Sequence, residues 1–301
     1  MDVFITGASG FIGSAVTRTL IARGHRVRGL ARDDAAIAKV RAAGAEPVVG
    51  SLTDLDVLAR AAGAAGAVVH TAATTGSDRP VVDAAAVTAM LGALPGGVFV
   101  STSAAPCTRS SRTPVAEDDD APPDGPLAWL AAAERRILAA PRVRGVVVRP
   151  PMVYGDGAGP VAGLVNGARH AGVARYIDDG AACWSTVHVR DLAVGYALLL
   201  EGDARGVFHA AEDRPVAMAT LFAAIAEAAA VPLGSWRLAD AQAGLGLMAG
   251  FLALDAVIDA GKLRRLGWTP RVGEVVGGIT GALRNPAQGY GTAPAEVAQA
   301  G

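Results

Sequence analysis

Near the N-terminus, Thr6-Gly7-Ala8-Ser9-Gly10-Phe11-Ile12-Gly13 sets three glycines at G-x-x-G-x-x-G spacing, directly after the apolar run Val3-Phe4-Ile5. Between a strand and a helix this spacing suits one task. The first glycine permits a tight turn, the second lets a diphosphate approach the backbone, and the third lets helix and strand pack closely. A helix starting here turns unpaired N–H groups and the positive end of its dipole toward the phosphates. Gly7, Ser9, Gly10, Phe11, Ile12 and Gly13 are therefore candidate residues for binding a dinucleotide. At the end of the next apolar run stand Leu30-Ala31-Arg32-Asp33. An acidic residue at that place holds the ribose 2′-hydroxyl of NAD, whereas an arginine pairs with the 2′-phosphate of NADP(H) through charge-assisted hydrogen bonds. Arg32 favours NADP(H). The alternative is a surface Arg32, with Asp33 turned inward onto a 2′-hydroxyl.

A second polar group, Ser101-Thr102-Ser103, closes the run Val98-Phe99-Val100. Hydroxyls at the carboxyl end of a central strand face the crevice where open α/β sheets bind ligands. Ser103 can donate to a substrate carbonyl, although an unactivated hydroxyl is a weak acid; its plain structural role is to satisfy backbone groups at the strand end. Thr102 suits a nicotinamide contact or a local hydrogen bond. Cys107 and Cys183 are too few and too far apart for a disulfide frame or a zinc site, and the five histidines lack metal-ligand spacing, so no metal is expected.

These residues need a scaffold. Brief apolar runs at Val3–Thr6, Arg26–Leu30, Pro47–Val49, Ala67–Thr71, Val98–Thr102 and Gly145–Arg149 read as strands buried on both faces of a parallel sheet. Helical runs at Ser14–Arg23, Asp34–Ala43 and Asp54–Ala62 separate the first of them. The alternation predicts a doubly wound, Rossmann-type parallel α/β sheet. From Pro150 to Pro160 a Pro/Gly-rich stretch reads as a loop leaving the sheet. Residues 1–154 are thus expected to form the dinucleotide-binding domain, with 186–210 returning to it. Residues 155–185 and 211–284 form a smaller, mostly helical substrate lobe, and 285–301 a loose tail.

Hydrophobic residues make up 51% of the 301 and charged residues 18%, the balance of an ordered globular chain. A net charge of −1 without a basic tract argues against nucleic acid or an anionic membrane as partner. The stretch Leu245–Ile258 is too short and too interrupted to span a bilayer, and the chain opens on a strand pattern, not a signal peptide. A cytoplasmic protein is the expectation.

Taken together, the chain resembles the extended short-chain dehydrogenase/reductase superfamily over nearly its whole length. The glycine loop resembles the superfamily's TGxxGxxG. Gly50-Ser51-Leu52-Thr53-Asp54 resembles the adenine-holding loop after the third strand, with Ser51 in place of the usual aspartate. His70-Thr71-Ala72-Ala73 is similar to its H-x-A-A, Arg149-Pro150-Pro151-Met152-Val153-Tyr154-Gly155 to its R-P-x-x-V-Y-G, and Leu266-Gly267-Trp268-Thr269-Pro270 to its LGW-x-P. The resemblance implies cofactor contacts at Ser51, Leu52, Thr71, Ala72, Ala73, Thr102, Pro150, Met152 and Val153, and makes Ser103 the match to the active-site Ser/Thr. His188, in Val187-His188-Val189-Arg190-Asp191, matches a V-H-V-x-D that ties the small lobe to the sheet; proton transfer is its alternative role.

One element is missing. The superfamily carries Tyr-x-x-x-Lys with a glutamate four residues further on; aligned on Glu134, Pro126 stands at the tyrosine and Leu130 at the lysine. None of Tyr154, Tyr176, Tyr196 and Tyr290 is followed four residues later by lysine. A general acid is worth about 10²–10⁴-fold in rate. Segments around Gly172–Tyr176, Gly180–Ala182 and Trp184–His188 are similar to an atypical bacterial branch that includes ketoreductases tailoring aromatic polyketides, angucyclinones among them. The resemblance implies NADPH-dependent reduction of a polycyclic aromatic ketone, with Ser103 and a substrate phenol stabilising the alkoxide. Trp129, Trp184 and Met152 either wall a flat pocket or belong to the core, and Tyr154 either substitutes as acid or packs. A non-catalytic NADP(H) sensor is the alternative, and a sugar-nucleotide epimerase or dehydratase is the weakest reading, since it needs the tyrosine.

Overall fold

The computed structural model describes residues 1–74, 77–105, 108–119 and 129–284. The apolar runs near the N-terminus become strands because β-branched and aromatic residues fill both faces: Val3, Phe4 and Ile5 are wholly buried, as are Phe99 and Val100. In chain order the first elements are β1 (Asp2–Thr6), α1 (Phe11–Ala22), β2 (Arg26–Ala31), α2 (Asp34–Ala42), β3 (Glu46–Val49), α3 (Leu55–Gly63), β4 (Ala67–His70), α4 (Arg79–Ala93) and β5 (Val98–Thr102). Then come β6 (Ser111–Val115), α5 (Leu130–Leu138), β7 (Arg144–Arg149), β8 (Met152–Tyr154), α6 (Gly159–Ala171), β9 (Ala174–Ile177), β10 (Cys183–Trp184), β11 (Thr186–His188), α7 (Val189–Glu201) and β12 (Gly206–His209). The remainder is β13 (Val216–Ala217), α8 (Met218–Ala229), β14 (Leu233–Trp236), α9 (Leu238–Leu245), α10 (Leu247–Ala253), β15 (Ala256–Ile258), α11 (Gly261–Arg265) and α12 (Val275–Arg284).

Seven strands form one parallel sheet in the order β12-β7-β5-β4-β1-β2-β3. The order reverses beside β1, which puts the glycine loop at the switch point where such sheets bind ligands. Helices α1 and α7 pack together against one face; α3, α4 and α5 cover the other. The expected doubly wound fold is the one observed.

The second half departs from expectation in four respects. The Pro/Gly stretch after Arg149 contains a strand, β8, which pairs in parallel with β11. The lobe is mostly helical but also holds short strands: β13, β10, β15 and β6 make a four-stranded sheet, and β14 pairs with β9. Strand β6 brings residues of the N-terminal half into that lobe sheet, so the boundary at 154 is crossed. The segment from Ile258 to Trp268 packs into the main core instead of the lobe, with the buried Trp268 Nε1 donating to the Asp191 carbonyl at 2.8 Å. Strands of two to five residues with distant partners leave no periodicity to read. Residues 285–301, expected to form a loose tail, lie outside the described residues, as do Cys107 and Pro126. No helix among the described residues is long and apolar enough to cross a membrane.

Candidate functional site

At the end of β1 the chain turns through Gly7, whose φ of +74° favours glycine, and Gly10 N donates to Gly7 O at 2.9 Å. Helix α1 begins at Phe11, with Gly10 as N-cap and no side chain capping it, so its first N–H groups face outward for an anion. Gly13 lies inside that first turn, and a Cβ there would stand 2.0 Å from Gly7 O. Only glycine allows the loop and helix to close this far.

The loop forms one wall of a cleft of about 620 Å³. Gly7, Ser9 and Gly10 meet Leu30 and Arg32 from the end of β2, Gly50 to Thr53 after β3, and Thr71 to Thr74 after β4, with Asp78 and Val82 at the rim. The structure thus brings nine of the expected residues together: Gly7, Ser9, Gly10, Arg32, Ser51, Leu52, Thr71, Ala72 and Ala73. Leu30, Gly50 and Thr53 lie within the quoted motifs but were not expected as contacts, and Thr74, Asp78 and Val82 lie outside them. Asp54 organises the loop after β3 by accepting from Ser51 N at 2.7 Å and Ser51 Oγ at 2.9 Å, and these bonds hold its carboxyl below the usual range. In the wall, the buried Thr74 hydroxyl has no hydrogen-bond partner among the described residues. A glycine cradle and an orphaned polar atom in one cleft fit a dinucleotide.

Arg32 is 80% exposed and its Nε lies 3.1 Å from Asp33 Oδ2. Asp33 is occupied: its Oδ1 accepts from Ala36 N at 2.7 Å and caps α2. That bond, then the one from Arg32, keeps its carboxyl low. Of the two readings of this pair, the arginine borders the cleft and the aspartate serves the helix.

Beside the cleft, sharing Ala72 with it, lies a chamber of about 20 Å³ lined by Ser101, Thr102, Ser103, Leu130, Arg79, Asp83 and Glu134, among others. Ser103 is buried, and its backbone N–H donates to Val148 O at 2.7 Å, extending the β5–β7 ladder by one residue. Glu134 pairs through both oxygens with Arg149, Nε to Oε1 at 2.9 Å. His70 bridges Thr6 Oγ1 at 2.7 Å and Asp83 Oδ1 at 3.0 Å. Leu130, in the expected lysine position, presents hydrocarbon to the chamber.

The phenols near the site are engaged elsewhere. Tyr196, behind the sheet, bonds Thr102 Oγ1 at 2.6 Å, and burial pushes its phenol up. Thr102 accordingly makes a local hydrogen bond. Tyr154 is buried and donates toward Glu212 Oε1 at 2.7 Å and the Gly273 carbonyl. Glu212 also accepts from Thr186 and from His188 N, and burial raises its carboxyl. Tyr154 therefore packs. His188 caps α7, accepting from Arg190 N at 3.2 Å, and stands edge-on to Tyr154 with its ring kept neutral by burial. It joins lobe to sheet. Trp184 and Met152 belong to the lobe core and Val153 to the main core, and Pro150 is buried; none of these four lines the cleft. Phe11, Ile12 and Gly13 form the first turn of α1, also outside the lining. The Phe11 ring fills the space a side chain at Gly159 would take, 2.2 Å from its would-be Cβ, so the cofactor loop touches the start of α6. Among the described residues, no group of three or more His, Cys, Asp or Glu is placed to hold a metal.

A family model described as NAD(P)H-binding matches residues 7–178. The chain belongs to this NAD(P)H-binding family. An uncharacterised protein of Schizosaccharomyces pombe is 32% identical over 280 residues, covering 90% of this chain and 95% of its own. The 4-hydroxy-2-methyl-3-oxo-4-farnesyl-3,4-dihydroquinoline-1-oxide ketoreductase of Stigmatella aurantiaca is 30% identical over 250 residues, 75% of this chain and 73% of its own. Among solved structures, the UDP-glucose 4-epimerase of Thermotoga maritima superposes with a TM-score of 0.77 over 94% of this chain and 98% of its own, at 20% identity. That likeness concerns the fold. Reductases among the relatives make this an oxidoreductase family.

Proposed function

We propose that this protein is an NADPH-dependent ketoreductase acting on a polycyclic aromatic ketone whose neighbouring hydroxyl supplies the proton. The carrying observation is the contrast between a complete dinucleotide cleft and a Ser103 chamber in which Leu130 stands for the lysine while Tyr154 and Tyr196 are bonded elsewhere. The N-terminal turn of α1 would hold the diphosphate, Arg32 the 2′-phosphate, and Ser51 and Leu52 the adenine side. NADPH, when bound, supplies hydride to the carbonyl carbon. Ser103 donates a hydrogen bond to the carbonyl oxygen and orients it, and the hydroxyl beside that carbonyl protonates the oxygen. The Stigmatella relative supports reduction of a ring ketone, because its substrate name sets an oxo group at carbon 3 of a fused bicyclic ring.

The test is NADPH oxidation with a hydroxyanthraquinone bearing its hydroxyl beside a carbonyl, against its O-methyl ether. The hydroxyketone should turn over and the ether should react poorly. Ser103→Ala and Tyr154→Phe should each cost far less than the roughly 10²–10⁴-fold of a lost general acid. Equal reduction of both ketones, with one substitution silencing the enzyme, would assign the proton to a side chain. NADPH binding without oxidation by either ketone would leave a cofactor sensor.

A further inference from the structure

We propose that the Arg79 guanidinium supplies the positive charge beside the reacting carbonyl oxygen, in the role vacated where Leu130 replaces lysine. The proposal rests on the ketoreductase reading. Arg79 opens α4 and lines the same 20 Å³ chamber as Ser103 and Leu130. That volume accommodates about one water molecule or one ligand oxygen. The guanidinium carbon sits 5.3 Å from the centroid of the Trp129 ring, a cation–π contact that steadies a long side chain. Trp129 directly precedes Leu130, so the turn that lost the lysine carries the ring that holds the arginine.

The chamber's other charges are matched. Glu134 is paired with Arg149, and Asp83 accepts from His70. Among the described residues, no carboxylate lies within ion-pairing distance of Arg79. Asp83, on the next turn of α4, faces the same space and offsets part of its field.

Arginine suits this task and no other here. It stays protonated at any working pH, so it cannot hand over a proton, but it can fix negative charge with directed N–H groups. When the carbonyl carbon gains hydride, the C=O π pair moves to oxygen. That oxygen, held by Arg79 and Ser103, takes the proton of the neighbouring phenol, and the phenolate is reprotonated from water. Charge comes from the protein and the proton from the substrate.

The closing experiment reads the charge without turnover. A hydroxyanthraquinone is bound to the protein in complex with NADP+, and the pKa of its phenol is followed by absorbance. Wild type should hold that pKa about one unit below Arg79→Met or Arg79→Gln, a tenfold difference in ionisation. Arg79→Lys should keep most of the shift, and Asp83→Asn should lower the pKa further, because it removes an opposing charge. In parallel, Arg79→Met should cut turnover about tenfold, the rate equivalent of that one-unit shift, with melting temperature and NADPH affinity unchanged. Identical phenol pKa values in wild type and a folded Arg79→Met or Arg79→Gln would overturn the proposal. If the pKa difference appears but wild type reduces no ketone, the charge stands and the ketoreductase reading falls.

Discussion

Replacing Arg32 by alanine should separate the two nicotinamide cofactors. The side chain is 80% exposed, so the dielectric of water governs its pull on a phosphate. Two unit charges 4 Å apart in water attract by about 1 kcal/mol. A monoester phosphate carries about −1.5 to −2 charge, which brings the interaction to roughly 1.5–2 kcal/mol. That is about 10- to 30-fold in Kd for NADPH. NADH lacks the phosphate, and Asp33 remains bound to Ala36 N, so NADH affinity should change less than about twofold. Titration of nicotinamide fluorescence measures both constants. Repeating it near 1 M salt, where screening acts within about 3 Å, should erase most of the NADPH advantage. Equal losses for both cofactors, or an advantage indifferent to salt, would remove Arg32 from the site and return the choice to Asp33.

Gly10→Val should abolish NADPH binding while leaving the circular dichroism spectrum unchanged: Gly10 has an ordinary extended backbone and a Cβ would meet only Gly7 O at 3.2 Å, but its branches would enter the cleft. Normal affinity in that variant would show that the diphosphate lies elsewhere. Stability should also fall in mild acid because of His209. Burial, then the Arg149 charge, pushes this imidazole down to about 4, and its Nδ1 faces the Asp259 carbonyl. The fold favours the neutral form, so the contribution is complete above about 6.5 and is lost as pH drops toward 4. Between about pH 7 and 4.5 the loss amounts to roughly 2 kcal/mol. His209→Asn should flatten that part of the denaturation profile relative to wild type; parallel profiles would refute the assignment.

The sheet was legible because its strands are continuous apolar runs that need no partner to be recognised. Val3 to Ile5 and Val98 to Val100 are buried on both faces whatever lies beside them. The glycine loop was legible for a different reason: each glycine answers a steric demand, as the 2.0 Å approach at Gly13 shows. Helix α1 nonetheless begins three residues before the expected Ser14, since the phosphate-facing loop runs straight into the first turn. The lobe sheet was illegible because Trp184 pairs with Ala256 and Ser111 lies on the far side of that strand, contacts without local signature. Arg79 escaped notice likewise. Nothing in its neighbourhood marks it as chemical; the fold carries α4 past the end of β5 and sets it beside Ser103.

The contact between Phe11 and Gly159 bears on how such proteins can be recombined. The aromatic ring belongs to the nucleotide module and the vacancy it fills belongs to the lobe, so the two fit as lock and key. A chimaera that takes its lobe from a relative with a side chain at the Gly159 position should fail at this seam even when both halves fold. Phe11→Ala would remove that clash but leave a side chain at a φ of +78°, so glycine at 159 is the residue to keep when specificity is transplanted into this scaffold.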